Sequence, residues 1–264
     1  MAWTVRKPCL EVMSKKIVIS SQLNHFKKDR LCNIHYNHFV RHKCTHTINV
    51  EEFLSDFNKQ QCVERLQKLS VPNVISKQPK IKAAVLVPLC IVDSELSLLY
   101  TLRKSNLRKH RGQVSFPGGV QDTSDNHLVC TALREAEEEL NIPPNLVDVW
   151  GCGKPIIGTE FSVLPVLGFI GDINKLDIKP NPSEVELMFT LSLAHFCDSN
   201  NCRYTRFRFK DRGTYVIPVY LNRTCRIWGM TAAITHVTLS ALLPDKYNFQ
   251  LTQNAAYTHG NYNS

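Results

Sequence analysis

A chain of 264 residues, 43% hydrophobic and 21% charged, can bury a real core and is too apolar to be a disordered polymer. Its net charge of +9 admits nucleic acid, an anionic surface or a polyanionic small molecule as a partner. The ten cysteines form no Cys-x-x-Cys, no secretory-type apolar stretch opens the chain, and no apolar run approaches the ~18 residues of a membrane span; reduced, mostly buried thiols of an intracellular protein are expected.

Residues 1–50 carry nine Lys/Arg against Glu11 and Asp29, so +7 of the +9 sits there and the rest of the chain is close to neutral. A long, basic, acid-poor segment with Ser14, Ser20 and Ser21 resembles a mitochondrial presequence; a solvated basic tail is the alternative. Its Cys32, His35, His38, His42, Cys44 and His46 follow no zinc-ligand spacing. Glu51–Leu69 reads as a helix, with Phe53, Leu54, Phe57, Val63 and Leu66 at helical offsets, and Pro72 and Pro79 punctuate a linker. Ile81–Cys90 and Leu96–Arg103 read as core strands joined by a polar turn at Asp93–Glu95. After the break at Pro117-Gly118-Gly119, Asp125 or Asn126 can cap a helix running to Leu140, with Val129, Ala132, Ala136 and Leu140 as its packing stripe. Asn141 stands where a left-handed helix end is expected, and Pro143-Pro144 prevents continuation. Later strands are expected at Val147–Cys152, Val163–Gly171, Val185–Leu191, Tyr204–Phe209 and Thr214–Leu221, with a closing helix over Thr231–Leu243. Interleaved strands and helices give an α/β or α+β class with a mixed sheet. The chain thus divides into a basic segment (1–50), a helix and linker (51–79), a main domain (80–248) and a tail (249–264).

On the helix ending at Leu140, Glu135, Glu138 and Glu139 stand at i, i+3 and i+4 and share a face, while Glu137 points elsewhere. Three carboxylates on one face repel each other unless a cation compensates, and several oxygen ligands suit Mg²⁺ or Mn²⁺. A Glu-rich helix alone is more often an exposed face. Gly118 and Gly119 sharpen the reading, because glycines there let the backbone approach a phosphate or metal closely. Arg134 can pair with and orient one of the carboxylates. Upstream, Arg103, Arg108, Lys109, His110 and Arg111 form a basic run, and a planar guanidinium grips phosphate with two parallel N–H bonds.

These residues resemble the Nudix family, whose signature is G-x₅-E-x₇-R-E-U-x-E-E-x-G-U with U aliphatic. Gly119 opens it here and Arg134-Glu135-Ala136-Glu137-Glu138-Glu139-Leu140-Asn141-Ile142 closes it. The Gly-to-Arg spacing is one residue longer, Asp122 or Asp125 replaces the first Glu, and Asn141 the late Gly. The coenzyme A diphosphatase branch is more similar still. Thr101, Arg103, Arg108, Gly112, Phe116-Pro117-Gly118-Gly119, Asp122, Asp125 and Thr131–Glu135 match its pattern, and Lys104 departs from it. The likeness continues through Asn181–Phe189, Tyr215–Tyr220 and Arg226–Thr235, spans roughly 80–248, and is strongest to the mitochondrial members of the branch.

The resemblance implies an α/β/α sandwich and metal-dependent hydrolysis of the diphosphate of coenzyme A or its thioesters. Glu135, Glu138, Glu139 and the Gly119 carbonyl would hold Mg²⁺ or Mn²⁺. Glu184 is the first candidate for general base, with Glu186 and Glu135 behind it, and Glu135, Glu138 and Arg134 complete the catalytic set. Arg103, Arg108, His110 and Gly118 are the substrate-binding candidates. A small-molecule substrate is expected, with no nucleic acid partner because aromatic residues are not interleaved as stacking platforms in the +7 segment 1–50, and with the oligomeric state open. The expected location is mitochondrial, with cytoplasmic as the alternative; the final Asn261–Ser264 is no peroxisomal address. Rival readings are a Nudix hydrolase of another substrate such as ADP-ribose, and a non-catalytic Nudix binding module.

Overall fold

The computed structural model describes residues 48–69, 79–105, 112–158, 160–209, 213–223 and 225–249. Residues 1–47 of the expected presequence and the basic run at 108–111 lie outside them.

The segment expected to form one helix is two: α1 (Val50–Phe53) and α2 (Asp56–Lys68). The break comes from Ser55, whose hydroxyl accepts from the Asn58 N–H and caps a new helix, a local competitor that apolar periodicity does not register. Next come β1 (Ile81–Val92), β2 (Glu95–Arg103), the short β3 (Val114–Ser115) and β4 (Gly118–Val120), and α3 (Leu128–Leu140). They are followed by β5 (Asp148–Cys152), β6 (Ile156–Ile157), β7 (Phe161–Asp172), β8 (Val185–Ser192) and α4 (Leu193–Cys197), then β9 (Cys202–Phe209), β10 (Gly213–Tyr220) and α5 (Gly229–Leu242).

Eight strands form one mixed sheet with the path β3-β2-β1-β7-β5; β4 adds to β1, β6 to β7 and β8 to β2, while β9 and β10 form a separate hairpin. β1 and β7 run parallel, and β1 and β2 form a hairpin whose turn residues Asp93 and Ser94 both adopt positive φ (48° and 67°), the twist a two-residue hairpin prefers. β1 is apolar on both faces because it serves two cores. Ala84, Leu86 and Cys90 pack toward α3, whereas Ala83, Val87 and Leu89 join the layer containing Cys62 and Leu66 of α2 and Ala232 and Ala233 of α5. Pro88 costs no ladder bond. The Leu86 N–H on that edge reaches Pro117 O, and two residues later the edge passes from β4 (at Ala83–Val85) to β2 (at Leu89–Val92).

This is the α/β/α sandwich with a mixed sheet expected from the sequence. One boundary differs: α2, placed ahead of the main domain, is built into it. Lys59 Nζ lies 2.6 Å from Asp148, Arg65 Nε donates to Ala241 O, and Cys62 and Leu66 are buried. Cys62, Cys90, Cys130, Cys152, Cys202 and Cys225 are free thiols; burial pushes those of Cys62, Cys90 and Cys202 up to about 12. Among the described residues no helix is long and apolar enough to cross a membrane.

Candidate active site

The site forms where α3 faces β4. Helix α3 starts at His127, not at Asp125 or Asn126: the His127 ring nitrogen Nδ1 accepts from the Cys130 N–H. Asp125 has another task. Its carboxylate takes two bonds from Arg134, at 3.1 and 3.0 Å, and is 5% exposed. The guanidinium holds that carboxyl well below the usual carboxylate range. Asp122 anchors the preceding turn by accepting from the Ser124 N–H and hydroxyl, so of the two expected substitutes for the first Glu, Asp125 is the one that meets Arg134. Arg134 then reaches Glu135 (3.1 Å), Glu138 (3.2 Å) and Val120 O, which ties the glycine turn to the helix.

The three carboxylates share a face, as expected, but not a depth. Glu138 is 56% exposed and leans on Arg134. Glu135 is largely covered and stands over Gly119, where any Cβ would collide with its carboxylate oxygens. Gly118 is required for a similar reason, since a Cβ would lie 2.6 Å from Val85 Cα. Glu139 is buried at 1% exposure. Its Oε1 accepts from Arg103 Nη1 at 2.7 Å, and its Oε2 has no partner among the described residues. Burial pushes the Glu139 carboxyl up to about 7, against the pull of Arg103 and with the charges of Glu135 and Glu184 adding to the rise. Burial also raises Glu135.

Glu184 is brought to this cluster by a strap that sequence reasoning did not identify. The last carbonyls of a helix have no donors of their own. Here the returning chain supplies them: Lys179 N–H donates to Leu140 O, Asn181 N–H to Glu139 O (2.8 Å), and Asn181 Nδ2 to Glu138 O. The Asn181 side chain accepts from the N–H and hydroxyl of Ser183, and Glu184 O accepts from Lys104 N–H. The Asn-x-Ser pattern signals such a turn locally; its docking on a helix end 40 residues away has no sequence signal. Glu186 is exposed near the start of β8. Arg103, expected at the substrate, places its guanidinium between Glu139 and Glu184, 3.6 Å from the latter. Arg108 and His110 lie outside the described residues.

The NUDIX domain model matches residues 80–196. The mouse protein named Mitochondrial coenzyme A diphosphatase NUDT8 is 40% identical over 196 residues, covering 74% of this chain and 92% of that one. The chain belongs to the Nudix hydrolase family. The human protein of the same name is 43% identical over 171 residues, 64% of this chain and 72% of its own. Nudix hydrolase 3 of Caenorhabditis elegans is 32% identical, with coverages of 77% and 93%.

Nudix hydrolases generally use divalent metal ions, and the residues present fit one. Glu139 Oε2 is a buried carboxylate oxygen without a partner among the described residues, the kind of hard donor that a divalent cation takes. Gly119 lets the Glu135 carboxylate lie against the backbone of the turn, where a side chain would otherwise stand. All the donors are hard oxygens. As placed, the carboxylates do not converge: among the described residues no three acidic, His or Cys groups gather around one point, because Arg134 draws Glu138 aside and Arg103 holds Glu139.

Proposed function

We propose that this chain hydrolyses the diphosphate of coenzyme A and its thioesters, releasing 3′,5′-ADP and 4′-phosphopantetheine or its acyl form. The observation that carries this reading is a carboxylate-bearing Nudix helix, with Glu184 strapped beside it, in a chain that spans 92% of a relative named a coenzyme A diphosphatase. Mg²⁺ or Mn²⁺ held by Glu135, Glu138, Glu139 and the Gly119 carbonyl would supply charge neutralisation for the diphosphate. The chain's own residues do the rest. Glu184, half exposed and fixed through its backbone, takes a proton from the attacking water. Arg134 orients Glu135 and Glu138, and Gly118 and Gly119 let the backbone close on the phosphates. Arg108 and His110 are assigned to the phosphates as well.

The test is product identification with the full chain, Mg²⁺ or Mn²⁺, and coenzyme A, acetyl-coenzyme A and ADP-ribose in parallel. Release of 3′,5′-ADP from the first two is expected. Fast turnover of ADP-ribose with none of coenzyme A reverses the substrate assignment, and no turnover of any leaves a binding module. The relatives' names also favour a mitochondrial location. A fluorescent reporter carrying residues 1–50 should co-localise with mitochondria, and diffuse cytosolic signal contradicts it.

A further inference from the structure

We propose that Arg103 is a positioning residue: its guanidinium bridges Glu139 and Glu184 and so registers the general base against the carboxylate helix, instead of binding substrate phosphate. The inference rests on the hydrolase reading of the same site.

Arg103 is the last residue of β2, and its backbone is fixed. Its N–H donates to Gln113 O and its carbonyl accepts from Gly112 N–H, both at 3.0 Å. The next residue, Lys104, donates its N–H to Glu184 O at 2.9 Å. From this anchored position one Nη donates to Glu139 Oε1 at 2.7 Å, and the other lies 3.6 Å from Glu184 Oε2. Three elements therefore meet at one side chain: the end of β2, the last turn of α3, and the Asn181–Glu184 strap.

The chemistry favours arginine here. Glu135, Glu139 and Glu184 repel one another. A guanidinium presents several donors in a rigid plane and can serve two carboxylates at once, whereas an ammonium is a point charge on a flexible stem. Withdrawing Arg103 to meet a phosphate would leave the buried Glu139 Oε1 without its donor, and an unsatisfied buried polar atom costs more than an exposed ion pair returns. An arginine so engaged is committed to holding Glu184 in place.

Two measurements on the full chain test this. The first uses no substrate and no metal: thermal unfolding with a chelator for wild type, Arg103→Gln, Glu139→Gln and the double variant. Arg103→Gln should lower the Tm by about 5–10 °C, and adding Glu139→Gln should restore most of that loss. An unchanged Tm in Arg103→Gln, or no recovery in the double variant, overturns the bridge.

The second is kinetic. Arg103→Gln should lower kcat about 100-fold, as for a misplaced catalytic group, with KM for coenzyme A within about threefold of wild type. Combining it with Glu184→Gln should cost little beyond Glu184→Gln alone, and Arg103→Lys should recover part of kcat. A KM raised tenfold at unchanged kcat, or a loss confined to coenzyme A and absent with 3′-dephospho-coenzyme A, makes Arg103 a phosphate ligand and overturns the proposal; so do additive losses. If wild type cleaves another diphosphate, the cycle is run on that substrate: the substrate assignment then fails while Arg103 is still judged.

Discussion

Glu139 carries two conflicting demands under the proposed function: burial favours its neutral form, and the proposed cation needs its anion. Its carboxyl is pushed up to about 7 in the folded protein, above its ordinary value of 4.5. A group raised on folding contributes stability that is complete below its unfolded value and lost as pH rises through the folded one. In metal-free protein the Glu139 contribution should therefore fall between about pH 4.5 and 7. His236, hydrogen-bonded to Tyr247 and drawn down to about 4 by burial, acts oppositely, adding stability as pH rises from about 4 toward 6.5. The wild-type profile alone is thus ambiguous, and the difference between wild type and Glu139→Gln in chelator is the measurement: that difference should shift against wild type as pH rises through this window. A flat difference contradicts it. Glu138 is the contrasting case. Exposed and paired only at the surface with Arg134, its change to Gln should cost less than about 0.5 kcal/mol of stability, yet lower turnover about 100-fold or more, read by denaturant unfolding beside steady-state kinetics. The spacing of Glu135, Glu138 and Glu139 was enough to find the carboxylate face. It could not reveal that one is exposed and one buried, because helical period reports direction and not depth, and Arg103 covers Glu139 from 36 residues away.

At the level of elements, α3 begins and ends unusually. Asn141 takes the left-handed conformation (φ 57°, ψ 40°) that the Nudix pattern assigns to glycine, and its side chain donates to Asp177 O, a return that glycine cannot make. This end was legible, because few residues tolerate that conformation and Pro143-Pro144 follow. The start was not: histidine is a poor cap statistically, and the better cap Asp125 is taken by Arg134. His127→Asp should therefore stabilise the helix by about 0.5–1 kcal/mol, through a stronger cap and an anion at the positive end of the helix. A Tm rise of about 1–4 °C is the expected reading, and a fall would show that the ring does more than cap. Strands were legible wherever residues alternate between two cores or run apolar. The two-residue β3 and β6 and the helix break at Ser55 were not, since pairing partners and a single hydroxyl decide them.

For the molecule as a whole, the family model begins at residue 80, but the packed unit begins earlier. Leu66, at 1% exposure, belongs to the same apolar layer as α5. Leu66→Ala should cost about 2–4 kcal/mol, read in denaturant midpoints, as much as a truncation inside the family domain itself. That helix was legible as amphipathic; its docking partner was not, because Ala241 and Asp148 lie far along the chain. The alternating inner strand β1 has a thermal consequence. Odd and even positions of one backbone wall two separate oily layers, so neither layer can melt while the other keeps its shape. Calorimetry should then find a single endotherm with matching calorimetric and van't Hoff enthalpies, leaving a half-molten species no temperature at which to accumulate.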